Sequence, residues 1–387
     1  MAKINVKNVV LPHSQAKLDL YRDYLNEYLP VLINSKFVEK INIYDVFCGA
    51  GIYDDGKPGS PLIAARCINE NIVLFESKGV EPTPISLTVN DLDIDKSQFV
   101  GQLLEDLEDE NFTTRSFNLT AGKMFQFVKE ETNTFPKKHR NLAFVDPYGY
   151  SDITKDNLEG LISNRRTEVI LFLPVSNLYR FSEIAKNDVD SKCYDHLRRF
   201  IFEFFPENSK IRSSNADNIY DYINEIRLAF SFNDTFYSSS YYIKRDHVNH
   251  YALFFIGPHI YGLEKFLQAK WKNDSLGQGF NIKYSMPSLF ESELQEVDTF
   301  NTKTKLEAIL KLHIKENPYI NNTDLYVFIL KNQFLPKDAV SILTNWKKDS
   351  LLTIYNESLD LLPDTRHFFL TYTNFKEKTN VLKLKFK

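Results

Sequence analysis

Residues Ile41–Pro61, INIYDVFCGAGIYDDGKPGSP, decide the fold. Ile41, Ile43 and then Val46 after Tyr44 read as a buried strand. Asp45, Phe47, Gly49 and Gly51 follow as a D-x-F-x-G-x-G turn. Ser60 offers an N-cap and Pro61 a first helical residue, so the next helix is predicted to start there. Strand, glycine turn and helix together form the phosphate- or nucleotide-binding corner of a doubly wound α/β sheet. Glycine lets the backbone take positive φ and approach a ligand closely. Asp45, at the strand's C-terminal end, faces the crevice where such sheets bind ligands.

The corner departs from two familiar patterns. The third glycine of G-x-G-x-x-G is missing, eight residues separate Gly51 from Ser60, and no G-x-x-x-x-G-K-[ST] occurs anywhere. An acid before aromatic-x-G-x-G resembles instead the first motif of S-adenosylmethionine (SAM)-dependent methyltransferases. In that family the glycine turn passes beneath the methionine part of SAM, which implies cofactor contacts for Asp45, Phe47, Gly49 and Gly51. The plainer alternative is a turn that only joins a strand to a helix.

Downstream, strand Thr88–Asp91 is predicted to end in acids. A carboxylate there can accept two hydrogen bonds from a ribose diol. Asp91 and Asp93 both qualify by type, but Asp93 can instead cap a helix beginning at Lys96. Strand Phe112–Leu119 places Asn118 where methyltransferases often meet the adenine amine, ahead of a helix over 121–131. The Lys137-Lys138-His139-Arg140 run reads as a solvated loop or a phosphate contact.

The second informative stretch is Leu142–Asp152, LAFVDPYGYSD. Four apolar residues read as a buried central strand. Asp146, Pro147 and Tyr148 then stand on the same rim as Asp45. They resemble the D-P-P-[YF] motif of amino-group methyltransferases, with Tyr148 in the second proline's place and Gly149 in the aromatic's. Asp146 can accept from an amine, and Tyr148 or Tyr150 can stack on a planar ring. Thr167–Pro174 reads as the next strand. Tyr241–Arg245 and Tyr251–Gly257 read as a late antiparallel hairpin of the kind that closes methyltransferase-type sheets. Helices are predicted over His13–Phe37, Pro61–Glu70, Cys193–Phe205, Ile219–Phe232 and His259–Asn273.

The 387 residues exceed one typical domain, and 43% hydrophobic content suits two packed units. A net charge of −4 confines any nucleic-acid binding to a local surface. Cys48, Cys67 and Cys193 make no C-x-x-C and no disulfide framework, which points to a reducing cytoplasm. No signal peptide or membrane-length apolar run is visible, so no membrane partner is expected. The reading divides the chain into a sheet domain over 1–275, a polar linker over 276–302 and a third segment over 303–387. In the last, amphipathic helices Thr304–Lys315, Thr323–Leu330 and Pro336–Lys347 precede two strands, Leu351–Tyr355 and Phe368–Tyr372. Three short helices and a two-stranded wing spell a winged helix. Lys337, Lys347 and Lys348, with five lysines in Lys376–Lys387, point to DNA or RNA. Protein docking is the alternative.

Taken together, most of residues 14–275 resemble the three-Cys-motif partner (TcmP) family, bacterial proteins related to methyltransferases. The likeness rests on the Lys17 helix ahead of the corner and the D-x-F-x-G-x-G turn with Asp55-Gly56…Gly59-Ser60-Pro61. It rests also on Asn90-Asp91-Leu92-Asp93, on Phe144–Gly149 and on the Tyr251-to-Trp271 unit. Cys48 and Ala50 depart from the family's usual Ala and Pro. The resemblance implies a Rossmann-like class I methyltransferase sheet of seven strands, the last antiparallel, with SAM as cofactor and a radical-SAM-type protein as partner. The expected activity is methyl transfer to an amino nitrogen of a nucleic-acid base, without a metal. Asp45, Gly49 and Gly51 would hold the methionine end and Asp91 the ribose; Asp146 and Pro147 would hold the nitrogen, and Tyr148 would stack. The competing expectation is a non-catalytic protein that docks its partner.

Overall fold

A computed structural model describes residues 9–274, 279–281, 303–363 and 367–387. The predicted linker 276–302 lies outside the described residues except at 279–281. The described residues fall into two compact units, 9–273 with 279–281, and 303–387. No helix among them is long and apolar enough to cross a membrane.

The first unit is a three-layer α/β structure. It opens with α1 (Pro12–Ile33), β1 (Lys40–Asp45), α2 (Ser60–Glu76), β2 (Ile85–Asn90), α3 (Ile94–Glu105) and β3 (Phe112–Phe117). There follow α4 (Ala121–Thr134), β4 (His139–Val145), α5 (Lys155–Ile162), β5 (Thr167–Leu173), α6 (Val175–Asn187), α7 (Asp195–Phe204) and α8 (Ile219–Ala229). β6 (Tyr237–Lys244), β7 (His250–Gly257), α9 (Ile260–Asn273) and β8 (Phe280–Asn281) complete it. The strand order is β3-β2-β1-β4-β5-β7-β6, with β8 added parallel to β6. β1 to β5 run parallel, and β7 is antiparallel to both β5 and β6. The seven-stranded sheet and its late antiparallel hairpin are therefore present; the two-residue β8 was not anticipated.

The central strands are apolar because both faces are covered. All seven residues of β5 are buried. α1 packs on α2 and α9 on one face, with α3 beside α2. α4 to α8 bury Met124, Phe125, Leu158, Phe200 and Ile223 against Tyr44, Val145, Leu171 and Phe254 on the other. Alternation along β1 then sends Tyr44 and Val46 to that side and Asp45 toward α1 and α2.

Several boundaries move. α1 stops at Ile33 rather than Phe37, as the Asn34 amide closes the last turn on Pro30. α2 takes Gly59 as its N-cap, so Ser60 is already helical. Asp93 caps α3 by accepting from the Asp95 and Lys96 amides, which leaves Asp91 as the rim acid. His139 and Arg140 open β4, at the edge of the sheet opposite Asp45, and Lys138 pairs with Glu39 there.

The second unit contains α10 (Lys303–Glu316), β9 (Ile320–Asn321), α11 (Asn322–Lys331), α12 (Pro336–Lys348), β10 (Leu352–Tyr355), α13 (Tyr372–Glu377) and β11 (Lys383–Phe386). Its three strands form an antiparallel sheet in the order β10-β11-β9. The strand that pairs with β10 is Lys383–Phe386, not the predicted Phe368–Tyr372. K-L-K-F alternation drops Leu384 and Phe386 into the core, whereas Thr371 accepts from the Asn374 amide and starts α13. Of the lysine-rich C-terminal segment, Lys383 and Lys385 are thus part of the sheet, whereas Lys376 lies in α13.

Candidate functional site

The site begins where β1 ends. Asp45 is fully buried, and neither of its carboxylate oxygens has a hydrogen-bond partner. Burial pushes its pKa up to about 7 and Asp146 adds to this; the Ser60 hydroxyl, Lys17 and the Phe47 amide pull the other way. The chain then turns. The Val46 amide donates to Phe144 O at 3.0 Å and the Cys48 amide to Asn90 O at 2.8 Å. Gly49 and Gly51 take φ of +62° and +71°. A Cβ on Gly51 would lie 2.7 Å from Val100 Cγ2, whereas one on Gly49 would meet nothing within 4 Å. Gly51 thus seats the turn on α3, and Gly49 leaves space for a ligand. Gly51→Ala combines the clash with a disfavoured φ, so it is expected to cost about 2 kcal/mol or more of stability, read by urea unfolding.

The eight-residue insertion after Gly51 is a small hairpin. Ile52 pairs with Pro58, the Tyr53 amide donates to Lys57 O at 2.9 Å, and the Gly59 amide returns to Gly51 O at 2.7 Å. That last bond places the start of α2 beside the glycine turn. Asp91 ties the next strand end to the same turn: it accepts from the Gly49 amide at 3.0 Å and the Asp93 amide at 2.9 Å, one on each oxygen. Each oxygen keeps a lone pair for a further donor. Asn90 fastens three loops. Its amide donates to Val46 O and Leu119 O at 3.1 and 3.2 Å, and its oxygen accepts from the Leu119 amide at 2.8 Å. Asn118 spends its amide group on Asp91 O and Leu92 O, at 3.0 and 2.7 Å, and does not line the cavity.

These strand ends open on one cavity of about 530 Å3. Phe47, Gly49, Gly51 and Asp91 line it from the glycine turn; Asp146, Pro147 and Tyr148 line it from the end of β4. Asp45 does not line the cavity, but Ser60 and Lys17, which act on its carboxylate, do. Tyr148 is 85% exposed at the rim, whereas Tyr150 is buried against Phe200 and donates to Pro174 O at 3.3 Å. Of the two rings considered for stacking, only Tyr148 reaches the cavity.

Sequence reasoning did not place several lining residues. Lys17 of α1 makes a buried ion pair with Asp146 and lies 4.7 Å from the centre of the Phe172 ring. Burial alone would lower the Lys17 pKa, but the charge and hydrogen bond of Asp146 more than offset it, and the net shift is upward. His13, Tyr251 and Phe172 form a near-parallel stack, with centroids 5.3 Å apart at each step. His13 Nδ1 is buried without a partner, and burial lowers its pKa to about 4, so the ring is neutral at pH 7. Tyr53 and Lys96 complete the rim. The contacts of α1 with the strand ends join residues more than a hundred positions apart, for which sequence spacing carries no signal.

No known family profile matches the chain, and no curated protein matches it. Solved structures match in part. An rRNA methylase from Streptococcus thermophilus is 11% identical, with 62% of this chain and 94% of that one covered, at a TM-score of 0.30. The O-methyltransferase TomG from Streptomyces achromogenes, solved with SAM, is 10% identical over 63% and 79%, at 0.33. Human methyltransferase-like protein 13, solved with S-adenosylhomocysteine (SAH), is 11% identical over 73% and 99%, at 0.31. Overlaps this partial leave the strand order and the cavity to stand on this chain's own geometry.

Proposed function

We propose that this protein is a SAM-dependent methyltransferase acting on an amino nitrogen of a nucleic-acid base. One observation carries the reading: at the ends of three adjacent strands, Asp91 and Asp146 line one cavity floored by a glycine turn, and Asp45 is buried behind its wall. The residues fit the cofactor. An unpaired buried carboxylate at Asp45 makes the neighbouring space favourable to cations, and a site of low dielectric strengthens that preference. Asp91 keeps acceptor capacity for a ribose diol, and Gly49 leaves room above the turn. SAM would supply an electrophilic methyl group.

The chain's own contribution is alignment. Asp146 accepts a hydrogen bond from the acceptor amine and holds its lone pair in line, while Tyr148 stacks the ring that carries it. The aromatic stack and α1 exclude water from that end of the cavity. The second unit supports a nucleic-acid partner: residues 303–387 hold 14 Lys and Arg against nine Asp and Glu, in a chain of net charge −4. Its sheet turns Lys383, Lys385 and Tyr355 to the face opposite Leu384 and Ile354, and Lys385 sits 4.9 Å from the Tyr319 ring. Such a face suits phosphates and bases. This reading keeps the winged-helix assignment for that unit.

Calorimetric titration of SAM and SAH tests the proposal. Micromolar binding, lost in Asp45→Ala and Asp91→Ala, is expected. No binding to the wild type would overturn it in favour of a docking protein for a radical-SAM-type partner.

A further inference from the structure

We propose that Lys17 and Asp146 act together as a reader of the amidine edge, the amine N–H beside a ring nitrogen that adenine and cytosine share. The inference rests on the methyl-transfer reading and deepens it. Asp146 Oδ2 accepts a hydrogen bond from the Lys17 ammonium, and among the described residues Oδ1 makes no hydrogen bond. Lys17 has three N–H groups, of which Asp146 uses one. Both side chains line the cavity at its aromatic end. The pair therefore offers an acceptor and a donor side by side, held by two packed elements: α1 is packed on α2 and α9, and Asp146 directly follows the central strand β4.

That arrangement complements an exocyclic amine donor next to a ring nitrogen acceptor. Hypoxanthine and uracil present the reverse, a carbonyl beside a ring N–H, and would set acceptor against acceptor and donor against donor. Sites built to hydrogen-bond one pattern reject its inverse strongly, because buried polar groups are left unpaired. A lysine side chain as methyl acceptor lacks the ring nitrogen and brings a second cation beside Lys17. His13, Phe172 and Tyr251 form a neutral, planar, aromatic wall. The geometry thus selects a base amine over a protein amine. Reaching such an edge needs a base outside a duplex, since pairing occupies it.

The test uses the full chain, saturated with SAH so that adenosine cannot occupy the cofactor end. Adenosine, inosine, cytidine and uridine are titrated by calorimetry. Adenosine over inosine, or cytidine over uridine, is expected to bind about tenfold tighter or better. Lys17→Met keeps the Asp146 acceptor and removes the donor, and is expected to lose most of that preference. Equal binding within both pairs, or none, by a protein that binds SAH overturns the inference and leaves the methyltransferase reading standing. If SAH does not bind, that reading fails instead, and the cytidine–uridine comparison without SAH still decides the edge preference.

Discussion

Asp45→Asn is expected to stabilise the ligand-free protein at pH 8 by about 2–4 kcal/mol while weakening SAM binding about tenfold or more. The reasoning starts from a carboxyl with no partner and no exposure. Its pKa in the fold is about 7, against 3.8 for the free group, because burial disfavours the charge. Between those values the folded state holds a proton that the unfolded state has released. Stability therefore falls as pH rises from about 4 through 7, and above 7 the full cost of a buried unpaired charge is present. Asparagine removes both the charge and the slope. Urea unfolding at pH 5 and pH 8 checks this: the two proteins should converge at the lower pH and diverge at the higher. Glu168, also raised to about 7 by burial, titrates in both and cancels in the difference. SAM affinity should move oppositely. A cation favours ionised Asp45, so wild-type affinity should drop several-fold from pH 8 to pH 6, and the variant should show no such drop. A wild-type protein equally stable at both pH values relative to Asp45→Asn would mean that Asp45 is already paired.

Which parts were legible follows from where the information lies. The strand-end carboxylates announce themselves locally, because each follows a run of strand residues and precedes a turn marked by Gly, Pro or a second acid; Asp91 and Asp146 line the cavity and Asp45 is buried behind it. The late antiparallel hairpin was legible from two apolar runs, Tyr241–Arg245 and Tyr251–Gly257, joined by a short polar turn. α6 was missed because it starts straight after Pro174 with no polar cap, so the strand signal runs into it. Asn118 has the right type and place to meet a ligand, but two main-chain carbonyls take its amide group. The choice between Phe368–Tyr372 and Lys383–Phe386 as partner of β10 turned on alternation: F-F-L-T-Y is rich in strand-forming residues but does not alternate, whereas K-L-K-F does. It was decided by which one buries Leu384 and Phe386 over the helices. Lys17 is the largest gap: nothing in a helix N-terminus says which carboxylate, 129 positions on, it will meet.

That pair yields the second large effect. Asp146→Ala is expected to cost about 3–5 kcal/mol, because it strands the Lys17 ammonium in a site where its side chain is only 9% exposed. Lys17→Met should cost less, since the Asp146 side chain is 23% exposed and can recruit water. The double variant Lys17→Met/Asp146→Ala should be more stable than Asp146→Ala alone, with a coupling of about 1–3 kcal/mol from the urea-unfolding cycle. The Lys17 pKa is raised in the fold, so its contribution is whole at neutral pH and is lost only as pH climbs through the raised value. Additive single costs would mean that the two groups do not depend on each other. The consequence reaches the functional assignment. Methyl transfer lost in Asp146→Ala is ambiguous, because the same substitution unsettles α1 and the aromatic wall. Asp146→Asn separates the two roles: its one carbonyl oxygen has two lone pairs, for Lys17 and for the acceptor amine, while the charge and the second acceptor oxygen are removed. If Asp146 orients the nitrogen, the asparagine variant should hold its fold and retain part of the activity. An Asp146→Ala protein that folds and transfers methyl groups at the full rate would exclude Asp146 from the reaction.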